Sequence, residues 1–250
     1  MPDAYEKLAP YYDLLGMSAV AEALTPNVIG FAQTNDWVGR RIIDLGCGTG
    51  ASTRWLVKQG YNIIGIDSSP SMLAVARSTI AAQGVGLQWV DGDASTVATI
   101  HDLDIVIAFD IMNEFATLRD VEAAISHIAK ALPAEKIFAF DLHTIEGMAA
   151  DANKTVILQN DAAFMSVVES IYDHERQTLT ENITLFDRQQ VGWQRVITSH
   201  QLRGYPIQAV IALLHRAGFS MMGLLNLDFQ PVSAVHPNAP RVICIATRNP

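Results

Sequence analysis

The sequence predicts an α/β domain built on a mainly parallel sheet, interrupted late in the chain by an antiparallel β segment. Short apolar, β-branched runs alternate with helical patterns through the first 150 residues, as the right-handed crossovers of a parallel sheet require. From about residue 154 four β-prone runs follow one another with short turns and no convincing helix between them. Such runs pair as an antiparallel meander. The helix and strand order then resumes.

The elements of the parallel part can be assigned individually. The second helix is the best signalled, because Ser69 can cap it, Pro70 suits its first turn and Gly84 can end it. Strands are expected at residues 41–45, 62–66, 87–90, 105–108 and 137–140. Helices are expected at residues 52–59, 70–83 and 118–132.

The remaining regions differ in character. Residues 1–35 look helical, with Pro26 breaking the pattern between residues 19–24 and 28–32. The meander strands are expected at residues 155–159, 164–172, 178–186 and 193–199, and a later helix at 207–217 precedes strands near 221–227 and 241–247. We therefore expect three parts: a helical cap (1–35), an α/β core (36–153 and 201–250) and an antiparallel β insertion (154–200).

Composition limits the kinds of partner. The chain has 250 residues, of which 50% are hydrophobic and 17% charged, and its formal net charge is −9. Such an acidic chain is unsuited to nucleic acid, whose binding depends on basic residues that neutralise phosphates. No run reaches the roughly 20 apolar residues of a membrane span, and the first residues lack the regions of a signal peptide. With only two cysteines, which make no disulfide framework, we expect a cytoplasmic setting. We expect the protein to be a monomer or a homodimer.

A glycine-rich turn follows the first strand of the core. Residues 44–50 read Asp-Leu-Gly-Cys-Gly-Thr-Gly, so the chain can turn sharply and bring bare backbone close to a ligand. The next strand is followed by Asp67, and a carboxylate in this place can accept hydrogen bonds from a ribose diol. The two features together predict a nucleoside-bearing ligand.

These residues resemble the first motif and the ribose-binding acid of class I S-adenosylmethionine-dependent methyltransferases. Residues 91–94 (Asp-Gly-Asp-Ala) are similar to the adenine motif of that family, and Tyr5, Ala9, Tyr12 and Asp13 resemble the Tyr-Asp signature of a small-molecule branch. The β insertion and residues 200–205 resemble the lid and return helix of amine methyltransferases, including those acting on glycine and on amino sugars.

The resemblance implies a doubly wound, mainly parallel, seven-stranded Rossmann-like sheet with an inserted antiparallel β lid. It also implies S-adenosyl-L-methionine as the cofactor and a small-molecule methyl acceptor. An amine is favoured as the acceptor, ahead of a carboxylate or hydroxyl, with N-terminal peptide methylation third. Positioning of acceptor, methyl and sulfur in line would be the main catalytic contribution of the protein.

The resemblance further implies a set of cofactor-binding residues. Asp67 would hold the ribose, and Asp93 and the N–H of Ala94 would meet the adenine. Asp44 and Cys47 can instead have a structural role in shaping the glycine-rich turn. Met72 and Tyr12 can instead be core residues. The set is Tyr12, Asp44, Gly46, Cys47, Gly48, Gly50, Asp67, Ser68, Met72, Asp93, Ala94 and Phe109.

Acceptor-side candidates follow the later strands and the meander. Glu114 can hold or deprotonate an amine, or be a first-turn helix acid. His143 can be a base, or a loop histidine with a structural hydrogen bond. We take these two as catalytic candidates, and no metal-ligand spacing is evident. Substrate-binding candidates are Asp110, Asn113, Trp193, His200, Arg203 and Tyr205.

Several of these candidates have structural alternatives, and so does the function. Arg203 can anchor the lid to the core, and Trp193 can fill the lid's own small core. A nicotinamide dehydrogenase is disfavoured, because an antiparallel insertion stands where a second mononucleotide-binding half should follow. A non-catalytic protein that binds S-adenosylmethionine or S-adenosylhomocysteine remains an alternative of a different class.

Overall fold

A seven-stranded sheet forms the centre of the molecule, and a four-stranded sheet lies beside it. The structure, a computed structural model, describes residue 3, residues 5–81 and residues 86–250. The strands are β1 (Arg41–Leu45), β2 (Asn62–Asp67), β3 (Leu87–Asp91), β4 (Ile105–Ala108), β5 (Ile137–His143), β6 (Lys154–Asn160), β7 (Phe164–Asp173), β8 (Thr178–Arg188), β9 (Trp193–Arg203), β10 (Phe219–Leu225) and β11 (Arg241–Arg248). The helices are α1 (Ala19–Thr34), α2 (Ala51–Lys58), α3 (Pro70–Thr79), α4 (Ala94–Val97), α5 (Leu118–Ala131), α6 (Ile145–Ala150) and α7 (Ile207–Arg216).

The central sheet has the strand order β3-β2-β1-β4-β5-β11-β10. Its first five strands in sequence pair in parallel, whereas β11 runs antiparallel between β5 and β10. The strand order reverses between β1 and β4, and open α/β sheets bind ligands beyond the carboxyl ends of the strands at such a switch point. The doubly wound, mainly parallel sheet that the sequence predicts is therefore confirmed.

Both faces of this sheet are buried. Along β1 and β4, successive residues alternate between two apolar layers: Ile43 and Val106 belong to one layer, and Ile42 and Ile105 to the other. A strand covered on both faces needs apolar residues at every position, which explains the continuous apolar runs of the sequence.

Helix α1 differs from the expectation, because Pro26 does not interrupt it. A proline inside a helix removes one backbone hydrogen bond and costs about 3 kcal/mol or more. Leu24 before it and Ile29 after it are buried in the same apolar layer, so the packing of this continuous face outweighs the cost. The hydroxyl of Thr25 also donates to the carbonyl of Ala21, at 2.7 Å.

Helix α3 begins as predicted. The side chain of Ser69 accepts a hydrogen bond from the N–H of Met72 at 3.1 Å, and Pro70 occupies the first turn. The helix ends at Thr79. The helix expected over residues 70–83 is therefore too long, because Ile80 already has an extended backbone (φ −118°, ψ 110°). Gly84, the expected stop, lies outside the described residues.

The second sheet is the antiparallel meander that the sequence predicts, in the order β6-β7-β8-β9. Its inner face packs on the N-terminal segment, residues 5–17. Ile183 and Leu185 on β8 share an apolar cluster with Leu8 and Leu15 of that segment. The N-terminal segment is therefore held between the two sheets.

Candidate active site

A cavity of about 250 Å³ opens at the carboxyl ends of β1 to β4, and we call it the strand-end cavity. Parallel strands end at one edge of a sheet, so residues far apart in sequence meet there. Nine of the expected cofactor-binding residues line it: Tyr12, Gly46, Gly48, Asp67, Ser68, Met72, Asp93, Ala94 and Phe109.

The turn after β1 has a backbone conformation that favours glycine. Gly46 and Gly48 have φ angles of +68° and +53°, in the left-handed region where a β-carbon is strained. A β-carbon on Gly46 would also collide with Ile111, another residue of the cavity wall. This conformation directs the N–H of Gly48 to Asp67 at the end of β2.

Asp67 is held by two backbone N–H groups. Its Oδ2 accepts from Gly48 at 2.7 Å and its Oδ1 from Ser69 at 2.8 Å. Burial raises the pKa of this carboxyl, and the two hydrogen bonds oppose that rise. Each carboxylate oxygen has a further lone pair, so Asp67 can still accept hydrogen bonds from a ligand diol.

Asp93 combines a structural contact with a place in the cavity wall. Its Oδ1 accepts from the N–H of Ser95 at 2.8 Å and from its hydroxyl at 2.5 Å, which caps α4. The hydrogen bonds from Ser95 hold the pKa of Asp93 below its usual range. The remaining acceptor capacity of this carboxylate is available to a ligand.

Three of the expected cofactor residues lie outside the strand-end cavity. Asp44 is buried and accepts from the hydroxyl of Thr53 at 2.6 Å, and burial raises its pKa to about 6. Cys47 is buried beside a smaller pocket of about 30 Å³, and burial raises the pKa of its thiol. Gly50 has a φ of +84° and leaves no room for a β-carbon beside Ile80. Their contacts are those of residues that shape the turn.

A second cavity, of about 340 Å³, lies between the central sheet, the N-terminal segment and the inner face of the antiparallel sheet. We call it the inter-sheet cavity. Four residues line both cavities, namely Tyr5, Tyr12, Asp110 and Glu114, so the two spaces adjoin. Val156, Val168 and Ile183 form part of the apolar wall contributed by the antiparallel sheet.

Glu114 lies at the junction of the two cavities. Its Oε1 accepts a hydrogen bond from the hydroxyl of Tyr5. The surrounding protein desolvates the carboxyl and raises its pKa to about 7, the hydrogen bond from Tyr5 lowers it, and the charges of Asp67 and Asp110 raise it. Burial also raises the pKa of Tyr5, so its phenol stays neutral and remains the donor.

Arg241, the first residue of β11, is the centre of a buried charge cluster. Its Nη1 donates to both Asp110 and Asp141, and its Nη2 contacts Nε2 of His143. The Asp141 carboxylate also accepts from the N–H of Asp110 at 2.8 Å, and Asp110 has a φ of +60°. Asp110 and Asp141 are therefore both paired with the guanidinium of Arg241.

His143 is held neutral by this cluster. A guanidinium has only donors, so Nε2 of His143 must be the acceptor and Nδ1 must carry the proton. Burial lowers the pKa of His143 to about 4, and the charge of Arg241 contributes. The lone pair that a base would need faces Arg241, which disfavours the base role suggested by the sequence.

His200 faces Glu181 across the ladder of β8 and β9. Its Nε2 lies 3.1 Å from Oε2 of Glu181. Burial lowers the pKa of His200, whereas the charge of Glu181 raises it. Both residues line the inter-sheet cavity, at the side opposite Arg241 and His143 on the central sheet.

Comparisons with known proteins agree with this geometry. Residues 42–135 match the family model described as a methyltransferase domain. A protein of Geobacillus sp. (strain WCH70), named as a methyltransferase, is 28% identical over 229 residues, which cover 90% of this chain and 92% of that protein. The chain therefore has a methyltransferase domain, and its similarity to methyltransferases extends over nearly its whole length.

Solved methyltransferase structures share the fold over nearly the whole chain. An S-adenosylmethionine-dependent methyltransferase from Clostridium acetobutylicum has a TM-score of 0.84 at 20% identity, covering 98% of this chain and 99% of that one. The sugar N-methyltransferase KedS8 from Streptoalloteichus sp. has a TM-score of 0.74 at 18% identity, covering 96% and 93%.

The strand-end cavity of this methyltransferase fits S-adenosylmethionine by its polar groups. Asp67 offers carboxylate oxygens for a ribose diol, and Asp93 and Ala94 begin α4, where backbone N–H groups lack helical partners. Phe109 and Met72 supply apolar surface beside them.

Four expected substrate residues of the methyltransferase do not line either cavity. The side chain of Asn113 bonds the backbone of His143 and Arg203, and the Tyr205 hydroxyl donates to the carbonyl of Phe115. These bonds tie the end of β9 to the core, and no side-chain partner of Arg203 is present among the described residues. Trp193 begins β9 at its far end and is 52% exposed, because the cavity lies near the other end of that strand.

Sequence reasoning missed Arg241, Asp141 and Glu181 as residues at or beside the methyltransferase site. A lone arginine at the start of a strand carries no local signal. The direction of the strand could have indicated this residue. Because β11 is antiparallel to β5, it begins at the edge of the sheet where β5 ends. Glu181 is marked by its cross-strand pairing with His200.

No helix in the described ranges is long and apolar enough to cross a bilayer. Within the same residues, no group of three or more His, Cys, Asp or Glu side chains is arranged to hold a metal ion.

Proposed function

We propose that this methyltransferase transfers a methyl group from S-adenosylmethionine to a small-molecule amine bound in the inter-sheet cavity. The observation that carries the proposal is the position of Glu114, which lines both cavities and has a pKa of about 7. A carboxylate at this junction can hold an ammonium group and take its proton near neutral pH.

The charges around the inter-sheet cavity favour a cation. Its walls contain four acids and, besides histidines, two bases. Arg241 is paired with Asp110 and Asp141, and Lys154 is paired with Asp151 at 2.8 Å. Glu114 is bonded to the phenol of Tyr5 and Glu181 lies beside His200, and neither is paired with a lysine or arginine among the described residues. Both can complement a positive ligand, and both would repel a carboxylate acceptor.

The cofactor would occupy the strand-end cavity. Asp67 would accept from the ribose hydroxyls, Asp93 from the adenine amine, and the N–H of Ala94 would meet a ring nitrogen. Tyr12 would lie towards the sulfonium end of the cofactor, because it also lines the inter-sheet cavity. Phe109, another residue of the strand-end cavity wall, would lie towards the same end. When bound, S-adenosylmethionine supplies a methyl group that is already activated by its sulfonium.

The protein's own part is to orient the acceptor and move one proton. An alkyl ammonium has a pKa near 10.4 in water and must lose a proton before its nitrogen has a lone pair. The carboxylate of Glu114 would accept that proton, becoming a neutral acid, while the walls of the inter-sheet cavity hold the amine. Such positioning can contribute roughly 7–11 kcal/mol to lowering a barrier.

The antiparallel sheet would serve as a lid on the acceptor, and residues 1–35 as a cap over the cofactor. The packing of the N-terminal segment against both sheets supports this division. Closure would exclude water, which strengthens the electrostatic interactions of the acids inside.

Labelled methyl transfer tests the proposal. The protein would be incubated with S-adenosylmethionine carrying a labelled methyl group and with cyclohexylamine, cyclohexanol or cyclohexanecarboxylate. We expect transfer to the amine, and we expect Glu114→Gln to lower kcat while calorimetry gives an unchanged affinity for S-adenosylhomocysteine. Glu122→Gln, which makes the same change at an acid of α5 that lines neither cavity, is the matched control.

The other outcomes identify the alternatives. Transfer to cyclohexanol or cyclohexanecarboxylate, with none to the amine, would assign the protein as an O-methyltransferase. Full turnover in Glu114→Gln would remove Glu114 from the chemistry. Tight cofactor binding without transfer to these probes or to a metabolite extract would favour a non-catalytic binding protein.

A further inference from the structure

The inner face of the antiparallel sheet carries one polar row between two apolar rows. Cross-strand pairing places Lys154, Ser170, Glu181 and His200 side by side across β6, β7, β8 and β9. We call these four residues the polar row, and all of them line the inter-sheet cavity. The rows on either side of it are apolar and aromatic, with Val156, Val168 and Ile183 in one and Tyr172, Leu179 and Leu202 in the other. Polar groups on such a face cost free energy unless they are paired, so the polar row is a candidate binding site.

Glu181 has a charge that the polar row does not offset. Among the described residues, no lysine or arginine lies within ion-pair distance of its carboxylate. Lys154 is two strands away, about 9–10 Å, and is paired with Asp151 at 2.8 Å.

The near neighbour of Glu181 is His200, whose Nε2 lies 3.1 Å from the carboxylate. Burial lowers the pKa of His200, so its imidazole is uncharged at neutral pH. The negative charge of Glu181 therefore stays in place beside it. On the other side, Ser170 pairs directly with Glu181 across the strands, where the two β-carbons are about 5 Å apart. Its hydroxyl oxygen can accept a hydrogen bond beside the carboxylate.

The charges of the whole inter-sheet cavity leave a place for a second cation. Its two bases, Arg241 and Lys154, are already paired with other acids. An ammonium at Glu114 would offset the charge of that carboxylate. Glu181, on the wall supplied by the antiparallel sheet, would then still lack a countercharge.

We propose that Glu181, with the hydroxyl of Ser170 beside it, binds a second ammonium group of the methyl acceptor. This inference rests on the proposed function for the first ammonium, at Glu114, and it narrows the acceptor to a diamine. One nitrogen would lie at the junction with the strand-end cavity and the other at the polar row. The apolar residues of the cavity wall would contact the hydrocarbon chain between the two nitrogens.

Other groups complement Glu181 less well. A carboxylate at this end of the acceptor would be repelled by it. A hydroxyl could donate one hydrogen bond but would leave the charge without a partner. An ammonium supplies both the charge and up to three donors.

Paired alkylamines test the second ammonium. Binding to the complex with S-adenosylhomocysteine would be measured by calorimetry at pH 7.5. The probes are propane-1,3-diamine, butane-1,4-diamine, pentane-1,5-diamine and hexane-1,6-diamine, the monoamines of the same lengths, and 5-aminopentan-1-ol. We expect at least one diamine to bind about tenfold or more tightly than its monoamine, as a hydrogen bond between charged groups allows. The amino alcohol should bind less tightly than that diamine, because it brings no second charge.

Two variants show whether this preference comes from Glu181. In Glu181→Gln the diamine should bind no more tightly than the monoamine, while pentylamine should stay within about twofold of its wild-type affinity. Glu169→Gln is the matched control and should retain the preference. Glu169 precedes Ser170 on β7 and so points to the outer face, where it accepts from Asn182 at 3.3 Å.

Thermal unfolding distinguishes binding from a structural role. If Glu181 served only to hold His200, Glu181→Gln would lower the Tm and leave the preference for the diamine unchanged. That result would overturn the proposal. An amino alcohol that equals the best diamine, or the absence of measurable binding by every diamine, would also overturn it.

Methyl transfer separates this inference from the function on which it rests. If monoamines and diamines are methylated and bound equally well, the function stands and the second ammonium site is wrong. If a diamine binds in a manner that depends on Glu181 while no amine is methylated, the site stands and amine transfer is wrong.

Discussion

The hydroxyl of Tyr5 donates a hydrogen bond to Glu114, a residue 109 positions further along the chain. The backbone N–H of Tyr5 donates to Asp3 at 2.9 Å, and Asp3 accepts from the Ser69 hydroxyl and the Ser71 N–H, each at 3.0 Å. Asp3 and Tyr5 together therefore connect the start of α3, beside Asp67, with the acid proposed to receive the proton.

This relationship predicts a shift in the pH dependence of activity. The base form of Glu114 is its carboxylate, so kcat/KM should rise as the pH increases through its pKa of about 7. The hydrogen bond from Tyr5 lowers that pKa. Tyr5→Phe should therefore move the rising limb of the profile to higher pH, by up to about one unit.

Tyr11→Phe is the matched control for this profile. It makes the same chemical change in the same segment, but the Tyr11 hydroxyl donates to Asp187 of the antiparallel sheet at 2.9 Å. We expect its rising limb to stay in place. Equal shifts in the two variants would mean that loosening of the N-terminal segment, and not the bond to Glu114, moves the profile.

Asp67→Asn should weaken cofactor binding with little effect on folding. Asparagine keeps the shape and one acceptor oxygen, but it loses the charge that strengthens hydrogen bonds from a ribose diol. We expect the affinity for S-adenosylhomocysteine in calorimetry to fall by roughly 10- to 100-fold, corresponding to about 1.5–3 kcal/mol. Asp91→Asn, at the end of the neighbouring strand and outside the cavity wall, should bind within about twofold of the wild type. An Asp67→Asn protein that binds as well as this control would contradict the assignment.

The strand-end side of the site could be predicted because its residues follow local patterns. Gly46, Gly48 and Asp67 stand at the ends of apolar runs, and a parallel sheet brings such ends to one edge. The sequence could not separate wall residues from supporting residues. In the structure, Asp44 is buried and bonded to Thr53, whereas Asp67 lines the cavity.

The acceptor side depends on contacts that no local pattern records. Arg241 meets Asp141 from 100 positions away, and this contact requires both the antiparallel return of β11 and its register. The placement of His200 and Asp110 in the wall of one cavity depends on how the antiparallel sheet docks on the core. The expectation that Trp193 binds the acceptor depended on the same docking. Trp193 lies ten residues from Arg203 along the extended strand β9, and the cavity is near the Arg203 end.

Alanine substitutions at the two glycines Gly46 and Gly48 should lower the Tm by different amounts. Gly46 and Gly48 both have positive φ angles, so each alanine carries a backbone strain of roughly 1–2 kcal/mol. A β-carbon at Gly46 also collides with Ile111, whereas one at Gly48 meets no atom within 4 Å. We therefore expect Gly46→Ala to lower Tm more than Gly48→Ala.

Cofactor affinity provides the second readout for this pair. Gly48 lines the strand-end cavity, so a β-carbon in the open space beside it would occupy room that the cofactor needs. Gly48→Ala should consequently lose affinity for S-adenosylhomocysteine in calorimetry despite its smaller loss of Tm. Equal Tm values for the two variants would show that the Ile111 contact relaxes freely.

Arg241→Met should destabilise the fold strongly at neutral pH. The change leaves Asp141, which is 1% exposed, and its neighbour Asp110 without their cation. Removing one partner of a buried ion pair typically costs about 3–5 kcal/mol. Thermal unfolding at pH 7.5 should show this loss as a large fall in Tm.

The loss should diminish on acidification. Burial raises the pKa of Asp141 even beside Arg241, and removal of the guanidinium raises it further. A carboxyl whose pKa is higher in the folded than in the unfolded state favours folding when it is protonated. The gap in Tm between variant and wild type should therefore be greatest above that raised pKa and should close as the pH falls towards about 4. Addition of Asp110→Asn and Asp141→Asn to Arg241→Met should restore much of the Tm at pH 7.5. A gap that is independent of pH and unaffected by these two changes would mean that lost packing, and not unpaired charge, destabilises the variant.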